Sequence, residues 1–469
     1  MVLKTIPSTL EVNDVHSQLN RTRVRGIARP GSVGELQGVV QAAAAEGCAV
    51  SIAGGRHAMG GQQFAGDGQL IDTRGMNRVL DFDRRSGVME VQAGIQWPQL
   101  VNELVAEQAD QLVQWGIRQK QTGADRLSLG GALAANVHGR GLKMRPIVGD
   151  VEAFTLIDAD GEAHRCSRTE NRELFSLAIG GYGLFGVVCS VALRLAPRQK
   201  LERVVREISV DELKMAMDNR IREGFIYGDF QFAIDDQSDE FLHRGVFSCY
   251  RPVGINTPMP KEPRELKAAD WCDLIHLAHV DKTRAYRKYA QYYLGTSGQI
   301  YWSDLHQMST YLDDYHGELD HRLGGPKASE VITELYVPRA RLAEFMMELR
   351  NVLRERRADL IYGTVRLIEK DDESFLAWAR EDYACIVLNL HVVHQSRELR
   401  RAGETFRALI GLAADFGGSF YLTYHRHGTA EQVERCYPQF GEFLKLKLKY
   451  DPDERFTSEW YRHYRGLFA

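Results

Sequence analysis

The chain lacks the parts from which several large protein classes are built. Its seven cysteines (Cys48, Cys166, Cys189, Cys249, Cys272, Cys385, Cys436) are scattered, odd in number and free of any C-x-x-C pair. That argues against a disulfide framework or a structural zinc site and for reduced thiols. No uninterrupted apolar run approaches the ~18 residues needed to span a bilayer. The opening Met-Val-Leu-Lys-Thr-Ile-Pro-Ser-Thr lacks the basic-then-apolar order of a signal peptide. Basic residues are not in excess, since the formal net charge is −4, so no footprint for nucleic acid is present. These absences predict a soluble, cytoplasmic protein with neither nucleic acid nor membrane as a partner. With 469 residues, 44% hydrophobic and 26% charged, it is ordinary globular material, long enough for two or three domains.

What the chain does have is glycine, concentrated in three places. Residues 53–61 read Ala-Gly-Gly-Arg-His-Ala-Met-Gly-Gly. Gly54, Gly55, Gly60 and Gly61 allow backbone N–H groups to crowd an anion with no Cβ in the way. His57 puts a nucleophilic ring nitrogen beside whatever is bound. The loop is not a Walker loop, because no Gly-Lys-Ser/Thr follows, and it does not open a helix as G-x-G-x-x-G. Alone, it is equally a tight turn between strands read over Ala49–Ile52 and Leu70–Asp72. The second cluster spans Ser128-Leu129-Gly130-Gly131-Ala132 and Asn136-Val137-His138-Gly139-Arg140-Gly141. The third, Gly180–Gly186, leads into a strand over Val187–Leu193. Three such loops within about 130 residues suit a long dinucleotide whose pyrophosphate needs several close backbone approaches.

Periodicity predicts a helix over Val39–Glu46, a strand over Val88–Gly94 and a helix over Trp97–Glu107 with Pro98 in its first turn. A strand over Val151–Ile157 ends in the hairpin turn Asp158-Ala159-Asp160-Gly161. From Leu201 glycine thins and aromatic and charged residues rise. Helical stretches are expected over Arg264–Tyr293, Arg339–Arg356 and Ala430–Lys445, with a loop at Gly254–Pro263. Strands are expected over Ser329–Val337, Leu360–Ile368, Cys385–Val393 and Ser419–Tyr424. A glycine-rich α+β half followed by antiparallel sheet and helices is the simplest arrangement.

Five elements in order resemble the vanillyl-alcohol-oxidase-type (PCMH-type) flavoprotein family. They are Ala53–Gly61, Leu70–Asn77, Val91-Gln92-Ala93-Gly94-Ile95-Gln96-Trp97, Gly130–Gly139 and Gly180–Gly186. The resemblance covers roughly the first two hundred residues. It implies FAD in a two-subdomain α+β module at 1–200, a cap of antiparallel sheet with flanking helices at 201–420, and a tail at 421–469 returning to the flavin module. The closing Asp451-Pro452-Asp453-Glu454-Arg455-Phe456 is similar to the family's terminal turn. The resemblance further implies FAD contacts from Gly54, Gly55, Arg56, His57, Ala58, Met59, Gly60, Gly130, Gly131, Asn136, His138, Gly139, Gly186 and Val188. His57 occupies the position that in many members is joined covalently to the flavin. Arg56 is otherwise a solvated loop charge, and His138 otherwise a packed histidine.

Ile332–Arg339 and Tyr362-Gly363-Thr364-Val365-Arg366 resemble strands of the aldonolactone and alditol oxidase branch. There an arginine, here Arg366, stabilises charge on the reduced flavin; otherwise it is a surface charge at a strand end. Glu334 either holds Arg366 or points to solvent. The branch places a glutamate where this chain has Thr364, and a His-Trp-Gly-Lys tetrad where it has His425-Arg426-His427-Gly428, so the lysine is missing. The catalytic base is thus open among His391, which shares a strand face with Asn389, and the pair His425 and His427. That pair does not read as a metal site. The expectation is an FAD-dependent enzyme oxidising a CH–OH group of a small molecule, with molecular oxygen or another acceptor. The alternatives are oxidation of a C–N bond or oxidative cyclisation on the same scaffold, and a non-catalytic flavin sensor.

Overall fold

Two short apolar strands, Val50–Ala53 and Gln69–Asp72, run parallel, with Gly26–Ala28 on the outer side of the second. Parallel neighbours need a crossover, and the helix Val33–Ala45 supplies it between the first and last of them. Ser32 caps that helix by accepting the Glu35 N–H at 3.2 Å. Its face of Leu36, Val40 and Ala43 is buried with Val50 and Ile71. The computed structural model describes residues 10–310, 312 and 315–469.

A second sheet of five antiparallel strands follows, ordered Ala163–Ser167, Val151–Ile157, Val187–Arg194, Val88–Gln92, Val79–Asp83. The helices Trp97–Glu107, Leu129–Ala135 and Arg172–Ala178 bury their apolar faces in the core that this sheet shares.

The third sheet has eight antiparallel strands. In spatial order they are Ile300–Trp302, Lys200–Ser209, Arg244–Val253, Tyr227–Phe232, Leu360–Ile368, Tyr383–Val393, Ala328–Pro338 and Ser419–Phe420. Its register decides which side chains share a face. Gln231 lies opposite Thr364, Thr364 opposite Val387, and Val387 opposite Glu334. Because alternate residues point the same way, Asp229, Gln231, Tyr362, Arg366, Asn389, Ile332 and Glu334 lie on one face. The helices Val210–Arg222, Leu342–Arg356 and Ser396–Asp415 pack on the sheet and on one another.

The C-terminal segment reaches back across the chain. Val50 donates to the Arg455 carbonyl at 2.7 Å and accepts from the Thr457 N–H at 2.9 Å, beside the fully buried Phe456.

Four expected elements differ. The helix expected over Val39–Glu46 begins six residues earlier, at Val33, where Ser32 caps it. The strand over Ser419–Tyr424 stops at Phe420: Tyr421 still donates its N–H to the Glu334 carbonyl in register, and the chain then turns, the Tyr424 N–H reaching the Tyr421 carbonyl at 3.5 Å. The helix over Ala430–Lys445 is two helices, Ala430–Cys436 and Phe440–Tyr450, interrupted at Pro438, which lacks the N–H a helix interior needs. The stretch Arg264–Tyr293 is Ala268–Val280 and Lys282–Leu294, divided at Asp281, whose carboxylate caps the second helix.

Candidate active site

The strand Val50–Ala53 delivers the first glycine loop against residues 126–128. A Cβ on Gly54 would collide with Ser128 Oγ, and one on Gly55 with the Arg126 carbonyl, so glycine is what permits the approach. Ser128 also caps the helix Leu129–Ala135 through the Gly131 N–H. Gly186 has φ +142°, and a Cβ there would strike the Ile157 carbonyl. The three glycine stretches converge on one cavity of about 880 Å³. Gly54, Gly55, Arg56, His57, Ala58 and Met59 line it, as do Gly130, Gly131, Gly186 and Val188.

Four residues expected at the cofactor stand behind this wall instead. Gly60 packs beneath the Tyr424 carbonyl. Asn136, left-handed at φ 49° after the helix, donates to Asp371 and Ser374 and accepts from Val148. Gly139 abuts the Lys120 carbonyl. His138 is fully buried, its Nε2 2.7 Å from Glu334 Oε2 and its Nδ1 3.0 Å from the Gly139 carbonyl.

His57 Nδ1 lies 2.8 Å from Nε2 of His16, a residue that sequence reasoning missed for want of any local motif. Burial, then the neighbouring His16, pushes the His57 pKa down to about 3; burial likewise takes His16 to about 4. Both rings are therefore neutral near pH 7, one donating and the other accepting. Arg56, at φ 60°, reaches to 4.0 Å from Asp72, and its Nε has no partner.

The opposite wall is the eight-stranded sheet. Glu334 neither holds Arg366 nor meets solvent. It is fully buried and takes hydrogen bonds from His138, Tyr336 (2.9 Å) and Tyr424 (2.7 Å). Burial pushes its carboxyl up, but His138, Arg366 and Tyr424 outweigh that and bring it to about 2. Arg366 is buried with Nε and Nη1 making no hydrogen bond. Burial works against its charge, and Tyr362, Cys385 and Glu334 more than offset it, so the guanidinium remains protonated. Thr364 spends its hydroxyl on the Phe230 carbonyl at 3.1 Å.

The three expected base candidates lie elsewhere. His391 shares the cavity-side face, as its alternation with Asn389 implies, but sits over Glu330, beyond the lining. His425 and His427 stack on each other with ring centroids 5.7 Å apart, also outside the lining. Burial pushes their pKa values down to about 4 and about 3.

In their place the cavity presents His306, Arg140, Asp229 and Asn389. His306 is buried against Tyr227 and Tyr250, and its main-chain carbonyl accepts from Arg140 at 2.5 Å. Its ring nitrogens make no well-formed hydrogen bond, with only the carbonyls of Ser303 and Trp302 beside them. Burial, Arg140 and Arg203 hold it well below the usual histidine range, hence neutral. Asp229 Oδ1 lies 3.7 Å from Arg140 Nη1 without a hydrogen bond. No spacing in the sequence marks this group, because it is gathered from two strands, a loop and a short 3₁₀ turn.

This cavity suits a flavin dinucleotide. One wall is glycine backbone closed to side chains, as a pyrophosphate requires, and the buried guanidiniums of Arg140 and Arg366 carry nitrogens without partners, as an anionic occupant requires. Its volume is near the upper end of the ~300–1,000 Å³ typical of ligand clefts.

Residues 24–167 match the FAD binding domain family, and residues 327–464 match the D-arabinono-1,4-lactone oxidase family. L-gulonolactone oxidase of Mus musculus is 22% identical over 92% of this chain and 93% of its own length. L-gulono-1,4-lactone dehydrogenase of Mycobacterium tuberculosis is 23% identical over 94% and 96%. Cytokinin dehydrogenase 9 of Oryza sativa is 26% identical over 42% of this chain. Fold, cavity and matches together define an FAD-dependent oxidoreductase that acts on a CH–OH group. Within that class, the chain belongs to the vanillyl-alcohol-oxidase-type family, on its aldonolactone oxidase branch. No helix among the described residues is long and apolar enough to cross a membrane.

Proposed function

We propose that the chain oxidises the carbinol carbon of a sugar lactone or closely related polyol, with the glycine-lined half of the cavity holding the cofactor and the sheet-lined half the substrate. Residues 1–200 with 421–469 form the flavin module in this reading, and 201–420 the cap. Bound FAD supplies the hydride acceptor. The observation that carries the reading is Arg366: a buried, protonated guanidinium with two unpartnered nitrogens in the cavity that the glycine loops also line. Such a charge, placed before any reaction occurs, stabilises negative charge as it develops nearby.

His306 is the cavity imidazole suited to take the substrate hydroxyl proton, being neutral and without a competing well-formed hydrogen bond. Arg140 and Asp229 lie beside it and offer a donor and an acceptor to neighbouring hydroxyls. Glu334 is excluded as the base, since three donors already hold it. His57, neutral and bordering the cavity, is the attachment residue for a covalent flavin.

The test is anaerobic mixing of the flavin-loaded protein with a panel of aldono-1,4-lactones, alditols and primary or cyclic amines, followed by flavin absorbance. Bleaching by lactones or alditols supports the proposal. Bleaching by amines alone overturns it.

A further inference from the structure

The strand Ala328–Pro338 carries a second buried carboxylate. Glu330 lies four residues before Glu334, about 13 Å along an extended chain. Three side chains from three elements meet there. Glu330 Oε1 is 3.2 Å from Nε2 of His279, on the helix Ala268–Val280, and 3.3 Å from Nδ1 of His391, on the strand Tyr383–Val393. The two nitrogens are 3.3 Å apart and the rings stand at 87°. Ligands about 2.0–2.1 Å from a tetrahedral divalent ion are separated by about 3.3–3.4 Å, so this triangle is the footprint of three such ligands.

The surrounding groups fix which atoms face inward. His279 Nδ1 lies 2.8 Å from the Ile275 carbonyl, which can only accept, so Nδ1 carries a proton and Nε2 is left to face the triangle. Glu330 Oε2 is occupied by the Tyr315 hydroxyl at 2.9 Å and His316 Nδ1 at 2.8 Å, leaving Oε1 for the centre. The donors on Oε2, the Tyr315 hydroxyl and His316, favour the carboxylate form of Glu330. One proton at the centre satisfies one edge of the triangle, whereas one cation satisfies all three corners.

We propose that Glu330, His279 and His391 bind one divalent transition-metal ion, zinc by the chemistry of two imidazoles and a carboxylate, with a fourth position open to water. Water enters on the His391 side, where the side chain is 15% exposed against 3–4% for its two partners. The ion ties the helix to two adjacent strands near one edge of the sheet. Trp271 and Ile275 on that helix, with Ile332 and Asn389 on those strands, line the cavity. The metal is thereby a clasp on the cavity's outer wall. The intervals of 51 and 61 residues between ligands match no sequence motif, which hides the site from sequence reading.

The protein, produced without a metal-affinity tag, is assayed for metal by mass spectrometry, then stripped with a chelator and titrated with Zn²⁺ and with Co²⁺. The expected result is about one ion per chain and the visible absorption of cobalt bound by nitrogen and oxygen ligands. Glu330→Gln and His391→Gln should each weaken zinc binding at least ~100-fold, and Tyr315→Phe ~10-fold. Stripped wild type that keeps its circular dichroism and takes up neither ion at micromolar concentration overturns the site and leaves a protonated histidine in the centre. Undiminished cobalt binding by a folded His391→Gln protein also overturns it. Neither result depends on flavin or substrate, so the site and the proposed activity fail separately.

Discussion

Nε2 of His138 and Oε2 of Glu334 are 2.7 Å apart, and neither side chain reaches solvent. The pair joins the second glycine cluster to the central sheet across 196 residues of sequence. Removing one partner of such a pair strands the other, at a cost of about 3–5 kcal/mol. His138→Ala should therefore lower unfolding stability by that order in chemical denaturation. A loss below about 1 kcal/mol would show that the pair is not a structural tie.

The same pair makes stability depend on acid. The Glu334 pKa falls from 4.5 to about 2 on folding, so its contribution is complete above about 4.5 and is lost as pH falls toward 2. A shift of that size corresponds to at most about 3 kcal/mol. Denaturation midpoints measured between pH 6 and pH 3 should fall less steeply in Glu334→Gln, for which the lost step is absent.

Arg366 has no hydrogen-bonded partner at Nε or Nη1, and Glu334 keeps its three hydrogen-bond donors when Arg366 is replaced, so the fold should be spared. Arg366→Ala is expected to slow flavin reduction by about 10²–10³, the range for loss of one charge-stabilising donor. Stopped-flow reduction under anaerobic conditions measures it. An unchanged rate would remove Arg366 from the chemistry.

His57→Ala should abolish any covalent flavin. Acid precipitation of the wild type should leave a yellow pellet and a fluorescent band on a denaturing gel. The variant should release its colour to the supernatant. A colourless wild-type pellet would reduce His57 to a cavity-lining residue.

His306→Gln tests the base. The expected loss is about 10²–10⁴ in kcat, with little change in KM. Because burial and two arginines keep His306 neutral, the wild-type rate should show no histidine inflection near pH 6.5. A rise in KM alone would assign His306 to binding rather than proton transfer.

Where local pattern and tertiary demand agree, the elements were legible. Trp97–Glu107, Val151–Ile157 and Leu360–Ile368 coincide with their sequence readings because apolar spacing, an early proline and a hairpin turn each mark their ends. The alternation of Asn389 with His391 correctly placed both on one face. It could not say how far along that face the cavity extends, and His391 lies past its edge. Ser419–Tyr424 misled because its β-forming residues are drawn out of the strand by Glu334 and the Asn136 region: Tyr421 reaches the Ala135 carbonyl and Tyr424 reaches Glu334.

The sequence by itself determined three loops fit for a long dinucleotide, which its family resemblance made FAD, because glycine is written wherever backbone must approach backbone, and that need is local. Gly54, Gly55, Gly130, Gly131 and Gly186 could therefore be read in order along the chain. Only the tertiary structure decided which polar side chains share the cavity and which meet elsewhere. His16 reaches His57, His138 turns inward to Glu334, and His306 joins Arg140, while His279 and His391 close on Glu330. These meetings depend on strand register and on helices crossing a sheet, so residues tens to hundreds apart are brought to within about 3 Å with no periodicity to announce them.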